Sequence, residues 1–407
     1  MLARLSPEIR QYLVITGNYW AFTLTDGALR MLVVLYFHQL GYTPLQVAML
    51  FLFYEIFGVI TNLVGGWLGA RIGLNRTMNI GLALQVAALS MLAVPVAWLA
   101  VPWVMAAQAL SGIAKDLNKM SAKSSIKLLV PSDQQGSLYK WVALLTGSKN
   151  ALKGVGFFLG GALLTTIGFT PAVATMAVAL TLVWLMSLVL LRQDLGKAKN
   201  KPKFRDIFSK SHAVNLLSAA RFFLFGARDV WFVVALPIFL AQSLDWDFWW
   251  IGGFLAAWII GYGAVQSIAP WITGRRSGKL PDGKTAFVWA VGLSVIPAVM
   301  ALLLAQGQDS QTIVIAGLSL FGVLFAVNSS LHSYLIVSYA AEDGVSLDVG
   351  FYYMANAMGR LLGTVLSGWI FQAYGLMYCL VTSAVLVALA AMASVALPRH
   401  SSPPFNA

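Results

Sequence analysis

A chain of 407 residues that is 59% hydrophobic and only 10% charged cannot hide its apolar surface from water in a soluble fold, so the composition points to a polytopic membrane protein. The formal net charge of +12 would suit nucleic acid if it were gathered in one patch, but the basic residues are divided among membrane-flanking loops and helices, which argues against that partner. The single cysteine, Cys379, excludes a disulfide framework and any cysteine-cluster metal or thiol–arsenite site.

Apolar spans of roughly 20 residues are needed to cross the hydrocarbon. Twelve are predicted, near 12–37, 44–69, 78–97, 101–126, 138–166, 172–191, 213–240, 248–272, 285–305, 311–339, 349–373 and 375–397. The first is preceded by a polar stretch, contains Asp26 and Arg30 and has no small-residue cleavage site. It is expected to stay as a helix rather than leave as a signal peptide. The outward loops of an N-inside topology, near 38–43, 98–101, 167–171, 241–247, 306–310 and 374, hold no Lys or Arg. The inward segments hold Arg4, Arg10, Arg71, Arg76, Arg275, Arg276, Lys279, Lys284 and a dense group from Arg192 to Lys210. Cation excess marks the cytoplasmic side, so both termini are expected there. The Trp clusters at 98–103 and 246–250 read as interface anchors.

The hydrophilic stretch 192–212 carries seven cations against Asp194 and Asp206 and reads as a basic cytoplasmic linker facing anionic lipid. It divides the chain into an N-terminal six-helix bundle (1–191) and a C-terminal one (213–397), with a cytoplasmic tail at 398–407. An internal repeat supports the division. "KGVGFFLGG" in span five and "RLLGTVLSG" in span eleven pair Lys153 with Arg360, Gly156 with Gly363, Gly160 with Ser367 and Gly161 with Gly368. Each pair is offset by 207 residues, and Gly168 with Gly375 keeps the register. Small residues at this spacing let helices approach closely. Two related halves with a site between them is a common transporter plan.

"GGWLGARIGLNR", Gly65 to Arg76, resembles the signature loop of the major facilitator superfamily, with Gly66, Leu68, Arg71, Gly73 and Arg76 matching. Ala70 stands where that pattern has an acid, so the gate ion pair tied to the acid is not implied here. "GFFLGG" at 156–161 resembles the span-five motif, with Phe157 in place of its proline. The resemblance implies an all-α integral membrane protein of twelve transmembrane helices in two pseudo-symmetric six-helix bundles. It also implies a central cavity bordered by spans one, four, seven and ten, with parts of two, five, eight and eleven.

Charge inside the spans carries the functional reading. A charged side chain near the bilayer centre costs about 3 kcal/mol on insertion scales, and persists where it pairs or meets water or a ligand. Eight cations lie deep: Arg30, Lys115, Lys119, Lys149, Lys153, Arg221, Arg228 and Arg360. Four acids lie at similar depth: Asp26, Glu55, Asp116 and Asp229. The surplus of four suits an anion trap, since a cation-lined cavity with low-dielectric walls concentrates anions. The eight cations are the candidate substrate-binding residues, and the four acids are candidate coupling or ion-pair groups. On span four, Lys115, Lys119 and Lys123 fall within roughly 80° of each other around the helix. Gln108, Ser111, Asp116 and Asn118 share that half, which reads as a wet face opposite a greasy one.

Blander roles stand beside these. Asp26 and Arg30 have the spacing of a structural helical pair, and Asp229 can pair with Arg228 or a neighbouring helix. Lys123 and Lys127 can snorkel to headgroups. Glu55, with no partner at helical spacing, is either a neutral core carboxyl or a proton carrier. Asn328 and His332 read as helix-packing polar groups. No motif for nucleotide, zinc or nucleophile chemistry is present, so the chain is expected to be no enzyme, to need no cofactor and to draw on a gradient.

A narrower likeness runs over nearly the whole chain. "TGNYWAFTLTDGALRMLVVLYFHQLGY" (16–42), "SGIAKDLNKMSAKSSIKLLVP" (111–131), "TGSKNALKGVGFFLGG" (146–161) and "LLSAARFFLFGARDVWFVVALP" (216–237) resemble the organoarsenical efflux permeases called ArsJ. That resemblance implies export of 1-arseno-3-phosphoglycerate, made when glyceraldehyde-3-phosphate dehydrogenase uses arsenate in place of phosphate. It thereby implies arsenate resistance, a functional partnership with that dehydrogenase, and a monomer in a bacterial inner membrane. No binding residue is carried over from the family. Such a substrate bears about three to four negative charges at neutral pH, close to the surplus of four. The charges alone fit another organic phosphate or phosphonate carrier, for example an organophosphate/phosphate exchanger. An exporter of lipophilic cations would want an acid-rich cavity, and a scaffold without transport has no use for the repeat.

Overall fold

The computed structural model describes residues 6–42, 50–131, 134–191, 195–199, 202–208, 210–246, 248–273 and 280–399. Arg4, Arg192, Asp194, Lys201, Arg275, Arg276, Lys279 and nearly all of the expected tail lie outside these residues, as does the start of the second span. The described residues form twelve long helices and no strand. They are α1 Pro7–Gln39, α2 Leu52–Ile72, α3 Leu74–Leu92, α4 Val101–Leu129, α5 Gln135–Ile167, α6 Phe169–Leu190, α7 His212–Ser243, α8 Phe248–Thr273, α9 Gly283–Ala305, α10 Ser310–Tyr339, α11 Val345–Tyr374 and α12 Leu376–Val395. α7 is interrupted between Phe232 and Ala235. Eight of them (α1, α5 to α10 and α12) are by length and composition apolar enough to cross a membrane. α4 carries five charged residues from Lys115 to Lys127 along its length.

α3 begins before its expected start. Gly73, at φ 103°, separates it from α2 in a conformation that glycine alone adopts readily. Asn75 and Thr77 are buried in the first turn, where the Thr77 hydroxyl donates to the Gly73 carbonyl at 2.8 Å. The Thr77 hydroxyl of the polar run that reads as loop is thus satisfied within the helix. Gly168 and Gly375 hold the α5–α6 and α11–α12 joints at φ 80° and 81°, so the repeat extends to backbone conformation.

The chain divides into two compact units. The first comprises Met1–Leu138, Ser148–Ser209 and Ala340–Met354, and the second comprises Tyr139–Gly147, Lys210–Tyr339 and Ala355–Ala407. In the first unit α5 lies against α1, and a Cβ on Gly156 would stand 2.7 Å from the Leu24 carbonyl oxygen. In the second, α11 lies equally close to α7, and a Cβ on Gly363 would stand 2.6 Å from the Gly226 carbonyl oxygen. Lipid leaves no hydrophobic force between helices, so such backbone contact is what holds them. Of the remaining repeat glycines, Gly160 also packs on Ala28, whereas Gly161 touches only Leu35 and Gly368 faces open space. The core of the second unit is aromatic, with Trp231 edge-on to Phe321, which stacks on Phe325.

The described part of the basic linker, 195–199 and 202–208, is bonded to the α2–α3 end. Leu74 N–H donates to the Leu195 carbonyl and Ala198 N–H to the Ala70 carbonyl, both at 2.8 Å. Trp67 Nε1 donates to the Pro202 carbonyl at 3.1 Å, and its ring meets Phe204 at 5.8 Å. In the same unit Ser346 Oγ donates to the Gly66 carbonyl at 2.7 Å, seating the first turn of α11 on α2.

Candidate functional site

Most of the intramembrane charges gather into one cluster per unit. In the first, α4 presents Lys115, Asp116 and Lys119 in just over one turn. Asp116 is buried at 1% side-chain exposure, while the two lysines keep 16% and 15%. Asp116 Oδ1 takes a short bond from Lys119 Nζ, and Oδ2 lies 3.8 Å from Lys115 Nζ. The lysines sit over aromatic rings, Lys115 at 3.8 Å from the Tyr54 centroid and Lys119 at 4.5 Å from that of Tyr353. A ring face attracts a cation by about 0.5–2 kcal/mol.

Tyr54 serves two further neighbours. Its hydroxyl donates to Asp26 Oδ1 at 2.7 Å, and the Arg30 guanidinium lies 4.7 Å from its ring centroid. Arg30 in turn donates to Glu55 Oε1 at 3.3 Å. The expected Asp26–Arg30 reading is therefore incomplete, because α2 supplies a hydroxyl for the acid and a carboxylate for the cation. Glu55, read as lacking a cationic partner along its helix, has one across helices. Lys153 lies where α5 meets α1, its carbonyl oxygen 2.8 Å from where a Cβ of Gly27 would be. Lys149, one turn earlier, donates to Asn150 at 3.1 Å.

Two expectations for α4 are corrected. Gln108, Ser111 and Asn118 do not line a wet face: all three are buried, with Asn118 donating to the Ala114 carbonyl at 2.9 Å. A helical wheel gives the direction of a side chain but not what neighbouring helices place there. Lys123 does not snorkel: it is 3% exposed, and its ammonium lies 5.3 Å from the Tyr353 ring centroid.

The second unit repeats the arrangement in arginine. Asp229, at 0% side-chain exposure, accepts from Arg228 Nε at 2.6 Å on Oδ1 and from Arg360 Nε at 3.1 Å on Oδ2. Arg221 is 3% exposed. It donates from Nε to Asn356 Oδ1 at 2.8 Å and from Nη1 to Ser329 Oγ at 3.2 Å. The Phe225 ring is shared by Arg221 at 3.9 Å and Arg228 at 4.9 Å. Asn328 does pack helices, donating to the Trp289 and Leu324 carbonyls at 2.9 Å.

Tyr54, Tyr353, Phe225, Asn356 and Ser329 are the residues that the sequence reading missed. Phe225 was within reach of it, since it lies four residues after Arg221 and three before Arg228 and so shares their face. Asn356, one turn before Arg360, has the same signal. Tyr54 and Tyr353 come to the lysines only through tertiary packing.

The family profile of the Major Facilitator Superfamily matches residues 15–347. The chain belongs to that superfamily. Solved structures of the same fold cover nearly all of this superfamily member. The human organic anion transporter MFSD10 (TETRAN) aligns at TM-score 0.76 and 15% identity, over 96% of this chain and 100% of that one. A bacterial homologue of the iron transporter ferroportin, in an outward-facing state, aligns at TM-score 0.73 and 16% identity, over 96% and 99%. The proton:xylose symporter XylE aligns at TM-score 0.74 and 12% identity, over 95% and 96%. At such identities the likeness establishes the fold and no substrate. No curated protein sequence matches this one. As a major facilitator, the chain is a multi-pass membrane transporter of small molecules, and its structural neighbours are transporters rather than enzymes.

Proposed function

We propose that this transporter exports a multiply charged organic oxyanion across a bacterial inner membrane, namely 1-arseno-3-phosphoglycerate, and so confers arsenate resistance. The observation that carries the reading is the imbalance of charge. Arg30, Lys115, Lys119, Lys123, Lys149 and Lys153 of the first unit stand against Asp26, Glu55 and Asp116; Arg221, Arg228 and Arg360 of the second stand against Asp229. A surplus of cations over acids suits oxyanions, to which Arg offers a planar fork and Lys a point charge. The ArsJ resemblance narrows the anion to the arseno-ester.

Several corollaries belong to the proposal. The divide falls within the 192–212 linker, leaving six spans on either side. Both termini are cytoplasmic, by the placement of Lys and Arg. The transporter acts as a monomer, and glyceraldehyde-3-phosphate dehydrogenase is a functional partner rather than a bound one. Energy comes from a gradient. An inside-negative potential already favours expulsion of an anion by about 2.3 kcal/mol per charge per 100 mV.

Everted vesicles offered arsenate, phosphate, 3-phosphoglycerate and enzymatically generated arseno-ester side by side test the reading. Uptake of the arseno-ester above the other three is expected. Preference for phosphate or 3-phosphoglycerate would replace it with an organophosphate carrier. In a sensitive bacterium lacking the dehydrogenase, the permease alone should give little arsenate resistance, and strong resistance there would point to export of free arsenate.

A further inference from the structure

Asp116 and Asp229 are placed alike with respect to their cations. Each carboxylate has one cation beside each oxygen: Lys119 is hydrogen-bonded to Oδ1 of Asp116 and Lys115 stands at ion-pair distance, 3.8 Å, from Oδ2, while Asp229 accepts from Arg228 on Oδ1 and from Arg360 on Oδ2. Each acid is at most 1% exposed, while its cations keep 16% and 15% in the first unit and 16% and 34% in the second. In both clusters the acid is buried more deeply than the cations that hold it, so the cations are the groups open to a ligand. Rings hold three of the four cations independently: Tyr54 under Lys115, Tyr353 under Lys119 and Phe225 under Arg228.

We infer that Asp116 and Asp229 are positioning residues that keep their cation pairs half-neutralised, and thereby set how tightly an oxyanion is gripped and how fast it is let go. This rests on the reading that the clusters receive an anion. Two unopposed cations in a low-dielectric site form a deep trap. A carrier gains nothing from a trap, because its substrate must leave within each cycle, and conduction likewise needs binding that is favourable yet weak enough for exit. One fixed negative charge behind each pair lowers the affinity without removing either donor. Besides its cations each acid has a buried tyrosine nearby, Tyr19 of α1 for Asp116 and Tyr262 of α8 for Asp229. Asp116 faces Lys115 and Lys119 of its own helix, with Tyr54 of α2 and Tyr353 of α11 beyond them. Asp229 faces Arg228 of its own helix and Arg360 of α11.

The test uses the full chain in proteoliposomes, with phosphate, 3-phosphoglycerate and the arseno-ester as probes, reading binding by calorimetry and turnover by counterflow. Asp116→Asn and Asp229→Asn should each bind the best wild-type probe roughly tenfold more tightly and turn over more slowly by a similar factor. Asp116→Glu and Asp229→Glu should return toward wild type. A purely structural acid predicts the opposite split, with less folded protein but unchanged apparent affinity in what remains. Should an Asn variant fail to fold, Lys119→Gln is compared with Asp116→Asn/Lys119→Gln, and Arg360→Gln with Asp229→Asn/Arg360→Gln. The double variant of each set should bind the probe more tightly than its single, since it exposes one unopposed cation. Equal or weaker binding in the Asn variants, or in both doubles, overturns the inference while leaving the anion reading intact. Wild-type protein blind to all three probes removes the anion reading and this inference with it.

Discussion

In the first unit Asp116 holds two lysines of its own helix, whereas in the second Asp229 holds one arginine of its own helix and one brought by α11. The charge arrangement is the same and its structural reach differs. The first cluster is local: α4 places all three groups whatever its neighbours do. The second is tertiary, and it lies where Gly363 of α11 packs on Gly226 and on the Asp229 Cβ. There the ion pairs tie two helices together as well as presenting charge. The cations match these roles. Arg221 spends a rigid fork on Asn356 and Ser329, while lysine ammoniums sit over rings as adjustable point charges.

The sharpest way to break this comparison is to remove one cation from each cluster. Arg360→Gln should abolish vesicle transport and also cost about 2 kcal/mol of stability, a buried-pair loss reduced because the side chain is 34% exposed. Lys119→Gln should abolish transport and cost clearly less in thermal unfolding in detergent, because the pair it breaks joins two residues of one helix and ties no second helix to it. Equal destabilisation by the two would erase the distinction between local and tertiary clusters.

A smaller effect is expected from exchanging cation types. Arg221→Lys keeps the charge but loses the Asn356 and Ser329 bonds, costing about 1–2 kcal/mol and a measurable part of the transport rate. Lys115→Arg, in a site built around a ring and one carboxylate oxygen, should be the better tolerated of the two. Comparable in size is Tyr54→Phe, which keeps the ring beneath Arg30 and Lys115 and loses only the bond to the Asp26 carboxylate, worth about 1.5 kcal/mol. Tyr54→Leu should cost clearly more in substrate affinity, and equal behaviour of the two would show that the ring does not matter.

The smallest effect comes from an acid outside the membrane-spanning segments. Asp309 accepts hydrogen bonds from Thr312 at the start of α10, which holds its carboxyl below the ordinary carboxylate range. Its contribution to stability is complete above the usual carboxylate pKa of about 3.9 and is lost as pH falls through the lower folded value. Asp309→Asn should flatten unfolding in that acidic window and leave transport at neutral pH unchanged.

What was legible in the sequence followed from period and composition. The twelve spans and the small residues at Gly156 and Gly363 follow from sequence pattern alone, and the described residues show twelve long helices and close backbone contact at both glycines, though not at Gly161 or Gly368. The deep ionisable residues were also legible, because a charge in an apolar run is conspicuous. Their partners were not. Glu55 meets Arg30 across helices, and Tyr353 reaches Lys119 and Lys123 from a residue more than two hundred positions away. Lys123 looked close enough to the cytoplasmic end to snorkel, but depth along a helix says nothing about what covers its side. The Asp229–Arg360 tie illustrates the same limit. The repeat aligned Arg360 with Lys153, yet the acid that holds Arg360 comes from α7.

The docked linker changes how the chain should meet a protease. Lys197, Lys199, Lys203 and Arg205 are exposed and would offer trypsin a ready series of sites in a loose connector. Here Leu195 and Ala198 are bonded to Leu74 and Ala70, and the Pro202 carbonyl to Trp67. Cleavage requires a stretch of backbone to be drawn out into the enzyme, so those bonds must open first. The rate of tryptic cutting after Lys197, Lys199, Lys203 or Arg205 therefore reports the local opening of the α2–α3 end, and a substitution as remote from the charge clusters as Trp67→Leu should speed it.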